Sequence, residues 1–283
     1  MEKSWRLKLD RAEQHLQDLH AEVTKYAEGH HYKAVRIVAG PTCKQHVECW
    51  RYHLRITEQP DPLLGIISGD FLFDARSALD HMAAALVPPR RRSHSGFPIE
   101  TEPIWTKVNR RYVVRDPNGR RRFKTKTTGM ALGAVAVIKA VQPNNDPALA
   151  PVGGLALLSR LNNADKHRQF ITYSAGLGDV EVRVTIRGQS MKIPLSQPVQ
   201  GPPFISDGAE IAHFWLDRQG LLESEINVRV VGTPVIAIRV IESTRKEKWA
   251  GYMDIELLFE TVVEHIRDGI FPYLEPFVWR PGV

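Results

Sequence analysis

Two clusters of ionisable residues interrupt otherwise apolar helical stretches, and they constrain the fold more than anything else in the chain. The first runs Gly69-Asp70-Phe71-Leu72-Phe73-Asp74-Ala75-Arg76-Ser77-Ala78-Leu79-Asp80-His81. The second runs Leu155-Ala156-Leu157-Leu158-Ser159-Arg160-Leu161-Asn162-Asn163-Ala164-Asp165-Lys166-His167-Arg168. A charge on or beside a core-facing surface is costly unless it is paired. Any fold of this chain must therefore bring partners to both clusters.

A helical wheel of about 100° per residue sorts the first cluster into three tracks. Phe71, Leu72, Ala75, Ala78, Leu79, Met82 and Leu86 form one broad apolar face. Asp70, Asp74, Ser77 and His81 share a separate stripe. Arg76 and Asp80, four apart, form a third track suited to an ion pair. Carboxylates, a hydroxyl and an imidazole on one stripe suit acid–base work or a metal; the alternative is a solvated or interhelical polar face. Within this cluster no Glu-x-x-His or His-x-x-x-His pair supports a metal, and no metal is expected.

In the second cluster Leu155, Leu157, Leu158 and Leu161 define the apolar face, with Asp165 near its centre, flanked by Asn162 and Arg168. If the helix continues that far, Asp165 faces inward and needs a cationic or hydrogen-bonding partner. Arg76, Lys166, Arg168 and His81 are candidates, Arg76 first because a guanidinium matches a carboxylate bidentately. If the helix ends at Asn162-Asn163, Asp165 sits in a turn.

The charge is unevenly spread. Residues 90–126 hold twelve Lys or Arg against three acids, a net of +9, so with a total of +6 the rest carries −3. Arg90, Arg91 and Arg92 open this segment. Arg111–Arg115, the turn signal Asp116-Pro117-Asn118-Gly119 and Arg120–Lys124 predict a hairpin. Arg110, Arg111, Arg115, Arg120, Arg121, Arg122, Lys124 and Lys126 on it could track a phosphate backbone, with Trp105, Tyr112 and Phe123 stacking on bases. A solvated hairpin protecting a sheet edge is the alternative.

Length and a 43% hydrophobic content suit one α+β domain over 1–283. Its expected parts are a helical core carrying the polar motifs, a basic β-hairpin insertion at 90–128 and a mainly β antiparallel region at 170–252. Helices are expected over Ser4–Glu28, Leu64–Val87, Met130–Val141 and Met253–Ile270. Strands are expected at Tyr32–Val38, Val47–Thr57, Val180–Ile186, Met191–Leu195, Ile211–Leu216, Ile226–Val231 and Val235–Ile241. Gly176-Leu177-Gly178 reads as a loop. With two cysteines, no signal-type leader and no run long enough for a bilayer, the expectation is a cytoplasmic protein without membrane partners.

The residues Gly69–His81, Phe97-Pro98-Ile99, Gln142-Pro143 and Leu158–Arg168, in that order, resemble a widespread uncharacterised bacterial family with Arg-Ser-Ala-Leu-Asp-His and Asn-x-Asp-Lys-His-Arg motifs. The resemblance implies kinship rather than a particular chemistry. It draws attention to Asn163, Asp165, Lys166, His167 and Arg168 as supporting residues. Members often carry His-Asn where this chain has Phe73 and Asp74.

Arg76-Ser77-Ala78-Leu79-Asp80-His81 also resembles the Arg-x4–6-His signature of HEPN domains, which include metal-independent ribonucleases. That resemblance implies Arg76 as phosphate stabiliser and His81 as acid–base group, with a homodimer bringing two sites together and no cofactor. Ser77 departs from the Asn, Asp or His usual after the Arg, and the motif comes early in a mixed chain. The leading expectation is a nucleic-acid-interacting protein, with RNA or another polyanion as partner and HEPN-like cleavage as its catalytic form. The rivals are a non-catalytic protein braced by Arg76, Asp80, Asp165 and His167, and a binder of a small acidic ligand. Cys43, His46, Cys49 and His53 match no familiar zinc spacing, and Gly29-His30-His31 reads as a helix end. No Walker loop, dinucleotide fingerprint or nucleophile elbow is present.

Overall fold

Leu63–Ala85 (α2) is a helix because its apolar residues recur every three or four positions. Phe71, Leu72, Ala75, Ala78, Leu79 and Met82 are completely buried. The structure is a computed structural model that describes residues 3–38, 47–102, 104–108, 111–114, 116–145, 153–166, 173–193, 204–217, 225–243 and 248–280. The chain is α+β and divides into two compact units. One comprises Met1–His20, Leu63–Ile171 and Glu256–Val283, the other Ala21–Pro62 and Thr172–Ile255. The 90–128 segment falls in the first, and nearly all of 170–252 in the second.

The first unit is mainly helical. Ser4–Glu28 (α1) contributes Trp5, Leu9, Ala12 and Leu19 to its core. Helix α2 packs against Gly154–Lys166 (α5). Its Phe71 ring stacks on Phe259 of Ile255–Arg267 (α6), with centroids 4.0 Å apart and planes 5° from parallel. The end of α2 is capped from far along the chain, as the Trp279 amide donates to the Ala85 carbonyl at 2.9 Å. That bond satisfies one carbonyl a helix terminus otherwise leaves open.

The basic segment corrects the expected hairpin. Trp105–Val108 (β3) pairs with Arg111–Val114 (β4), so both paired strands precede Asn118-Gly119 rather than flank it. Pro117–Thr127 is instead a helix (α3), whose N-cap Asp116 accepts a hydrogen bond from the Asn118 amide at 3.0 Å. Asp followed by Pro is as much a helix start as a turn, since the Asp side chain takes an orphan amide and Pro lacks one. Phe123 is thereby turned into the core, 6% exposed, and cannot stack on a base. A further helix, Leu132–Ala140 (α4), follows.

The second unit is antiparallel. Tyr32–Val38 (β1), Val47–Ile56 (β2) and Glu210–Asp217 (β8) form a three-stranded sheet in that order. Tyr173–Ile186 (β5), Gln189–Ile193 (β6), Phe204–Ser206 (β7), Ile226–Ser243 (β9) and Lys248–Asp254 (β10) form a five-stranded sheet. Alternation along β2 points Trp50, Tyr52, Leu54 and Ile56 inward, into one core with Leu177, Val182, Val184 and Ile211.

Two strand readings are corrected here. Ile226–Val231 and Val235–Ile241 are one continuous strand, β9, despite Gly232 and Pro234. A bulge on the facing strand, between Gly178 and Glu181, absorbs the irregularity. Gly232 is required there, since a Cβ would lie 2.9 Å from the Gly178 carbonyl oxygen. Gly176-Leu177-Gly178 is no loop but the middle of β5, paired with both β7 and β9. Among the described residues, no helix is long and apolar enough to cross a membrane.

Candidate functional site

Residues 96–100 of the first unit form an extended strap that belongs to no sheet, yet Phe97, Pro98 and Glu100 are buried. Buried backbone groups need partners, and side chains supply them. Asp80 Oδ1 accepts from the Phe97 amide at 2.9 Å, and Arg76 Nη2 donates to the Phe97 carbonyl at 2.6 Å. Arg76 also grips Asp80 with two bonds, Nε at 3.2 Å and Nη2 at 2.9 Å. On the other side Gln142 Oε1 accepts from the Glu100 amide at 2.8 Å. Its Nε2 donates to the Pro98 and Ile138 carbonyls at 3.0 and 2.8 Å. Buried Glu100 is neutralised by Arg122, at 2.8 Å.

This clamp explains why Arg76, Asp80, Phe97-Pro98 and Gln142 occur in one chain. Arg76 and Asp80 secure the strap to α2 and Gln142 secures it beside the end of α4, while the Glu100–Arg122 pair ties it to α3. Replacing Gln142 with Leu should leave the Glu100 amide and Pro98 carbonyl buried and unpaired. We expect a loss of about 2–3 kcal/mol in urea unfolding; a loss below about 0.5 kcal/mol would show that water replaces the amide. Lys126 sits at the edge of the clamp, its pKa held below the ordinary lysine value by burial and by the nearby Arg76 guanidinium. Asp80 and Glu100 partly offset that effect.

The stripe Asp70, Asp74, Ser77, His81 is not one environment. Asp70 and His81 are exposed, Ser77 is half-buried and Asp74 is buried. Asp74 is held by Lys8 at 2.7 Å and by His15 Nε2 at 3.5 Å, so it joins α2 to α1. His15 sits among Ala12 and Leu19 on the buried face of α1, where sequence reading assigned it no part. Its spacing from them was the available signal. His81 lies about 140° around the helix from Arg76. The structure joins Arg76 to Asp80 and leaves His81 exposed to solvent.

Helix α5 continues through Asn163 and Asp165 to Lys166, so the second cluster is helical over that stretch. Asn162 is buried and Asn163 exposed. The side chains of Asp165 and Lys166, and all of His167 and Arg168, lie outside the described residues. So do Arg110 and Arg115, the side chains of Trp105, Arg111, Tyr112 and Cys49, and all of Cys43 and His46. His53 is spent on the backbone, its Nδ1 lying 2.7 Å from the Gly208 carbonyl oxygen. Among the described residues no group of His, Cys, Asp or Glu could hold a metal ion.

The remaining basic residues gather on two elements. The 3-10 stretch Pro89–His94 exposes Arg90, Arg91 and Arg92. Helix α3 exposes Arg120, Arg121 and Lys124, while Arg122 is committed to Glu100 and to Asp116 at 3.4 Å. The two elements touch. A Cβ on Gly129, just after α3, would lie 2.6 Å from Arg91 Cδ, and Gly129 has φ +93°. The Gly96 amide also donates to the Lys126 carbonyl, at 3.4 Å.

A cleft of about 470 Å³ lies between α1 and α6, lined by Glu13, Gln17, His20, Glu256, Glu260, Glu264 and Arg267 over Leu16 and Val263. His20 pairs with Glu256, and Arg267 with Glu13 at 3.2 Å. Spacing along the chain gives no sign of the cleft, because its walls are more than 200 residues apart. Compared with protein-family models, curated proteins and solved structures, the chain matches none.

Proposed function

We propose that this protein binds nucleic acid through the basic surface of its first unit, built from Pro89–His94 and α3. One observation carries the reading. Arg90, Arg91, Arg92, Arg120, Arg121 and Lys124 are exposed on adjoining elements, and none has a carboxylate partner among the described residues. Arg120 and Lys124 are four apart, and like charges at that spacing destabilise a helix. A solvated face would intersperse acids; a polyanion removes the repulsion and gains counterion release.

In this reading Arg76 is a positioning residue. Its guanidinium holds the strap and Asp80, and the strap in turn ties α2 to the α3 region. The geometry favours binding over HEPN-like cleavage, because Arg76 is engaged with Asp80 and Phe97 while His81 faces elsewhere. The deciding experiment incubates end-labelled single-stranded RNA with the protein in EDTA at about 50 mM salt. We expect a retarded complex, weakened by added salt, and intact RNA. Cutting that disappears in both Arg76→Lys and His81→Ala would instead establish metal-independent ribonuclease chemistry. Absence of a complex at low salt would overturn the proposal.

A further inference from the structure

The outer face of the five-stranded sheet in the second unit carries a row of cations that its fold does not need. Register places Arg183 of β5 directly opposite Lys192 of β6 on one side and Arg229 of β9 on the other. Adjacent strands are about 4.8 Å apart, so the row spans roughly 10 Å. All three side chains are exposed, because alternation sends Val182, Val184 and Val230 into the core. Like charges directly opposite destabilise a sheet.

Among the described residues one carboxylate answers them. Glu181 accepts from Arg183, and from Lys192 at 2.7 Å; these two cations hold its carboxyl below the ordinary glutamate range. Arg229 has no acidic partner among the described residues. Two positions along the strands, a second row presents Asn227, Thr185 and Ser190, again directly opposite one another. This second row is neutral and rich in hydrogen-bond donors. Cations beside hydroxyls and an amide are the groups that contact phosphate and sugar, whereas base reading needs aromatic faces or bidentate edges. No aromatic side chain lies in either row.

We infer that the Arg183–Lys192–Arg229 face is a second, sequence-indifferent contact for a nucleic-acid sugar–phosphate backbone. The inference rests on the nucleic-acid reading of the first unit and extends it to the other unit. It assigns Arg229 as the free phosphate contact and Glu181 as a competitor that phosphate must displace.

The test is fluorescence anisotropy of a labelled oligo(U) of about 30 nucleotides against wild type, Arg229→Gln and Glu181→Gln, over a salt series. Both substitutions are at solvent-accessible positions, and thermal melts check that each variant folds. Arg229→Gln should weaken binding about threefold and reduce the log–log salt slope by about 0.7, one phosphate contact. Glu181→Gln should tighten binding by about two- to threefold. Oligo(A) should show the same shifts. Binding unchanged in both variants, while neutralising Arg120, Arg121 and Lys124 abolishes it, overturns this inference and leaves the first surface standing. Binding lost in Arg229→Gln but kept in that α3 variant supports this face and removes the first one. No binding by wild type overturns both. Capture of phosphatidylserine vesicles that Arg229→Gln abolishes, with oligonucleotide binding unaffected, overturns it in favour of a lipid surface.

Discussion

Arg76→Ala should lower the stability of the helical unit by about 2–3 kcal/mol, read as a drop of roughly 5–10 °C in melting temperature. Arg76 is 13% exposed and donates to Asp80 twice and to the Phe97 carbonyl once. Its loss strands a buried carbonyl and removes both guanidinium bonds from Asp80, whose Oδ1 keeps the Phe97 amide. The full cost of breaking a buried ion pair, about 3–5 kcal/mol, is not reached because the Asp80 side chain is 42% exposed and water reaches it. Arg76→Lys should recover only part, as an ammonium cannot span the carboxylate and the carbonyl in one plane. A double-mutant cycle with Asp80→Ala should return about 1–2 kcal/mol of coupling. Removing the neighbouring guanidinium should also move the Lys126 amine back toward its ordinary titration range, visible by NMR. Additive single mutants with unchanged melting would show that the clamp contributes nothing.

Neutralising α3 as Arg120→Gln, Arg121→Gln, Lys124→Gln should weaken single-stranded RNA binding at least roughly tenfold at about 50 mM salt. The log–log salt slope should fall by about 2, three phosphate contacts at roughly 0.7 each. The three side chains are exposed and their removal relieves mutual repulsion, so the melting temperature should hold or rise slightly. That combination separates a binding surface from a solvated helix. If stability rises while affinity and slope stay put, the charges serve solubility alone. An Arg122→Gln control should behave oppositely, costing stability because it uncovers buried Glu100, 2.8 Å away.

Much of the fold was legible in residue patterns. The 3.6-residue periodicity of Trp5, Leu9, Ala12 and Leu19 marks α1, whose expected limits, Ser4 and Glu28, are those observed. Alternation of Trp50, Tyr52, Leu54 and Ile56 marks β2 and its buried face. The Arg76–Asp80 pair was likewise legible, because a spacing of four in a helix brings the two side chains together. Asp116-Pro117-Asn118-Gly119 misled because its residues satisfy the geometry of a hairpin turn and of a helix start alike. The residues downstream decide between them: Phe123 and Thr127, four apart, bury one face as a helix requires.

By itself the sequence determined the α+β class, the positions of the long helices, the uneven charge and the pairing of Arg76 with Asp80. These depend on contacts within one turn or one strand, which spacing encodes. Only the tertiary structure decided what the polar clusters brace. Asp74 meets Lys8 and His15, and Arg76 meets Phe97, because helices and strap distant in sequence pack together. The cation row on β5, β6 and β9 has the same origin, since strand register sets which side chains stand opposite. Spacing along the chain carries no record of that register, because it comes from which faces bury their apolar residues against each other.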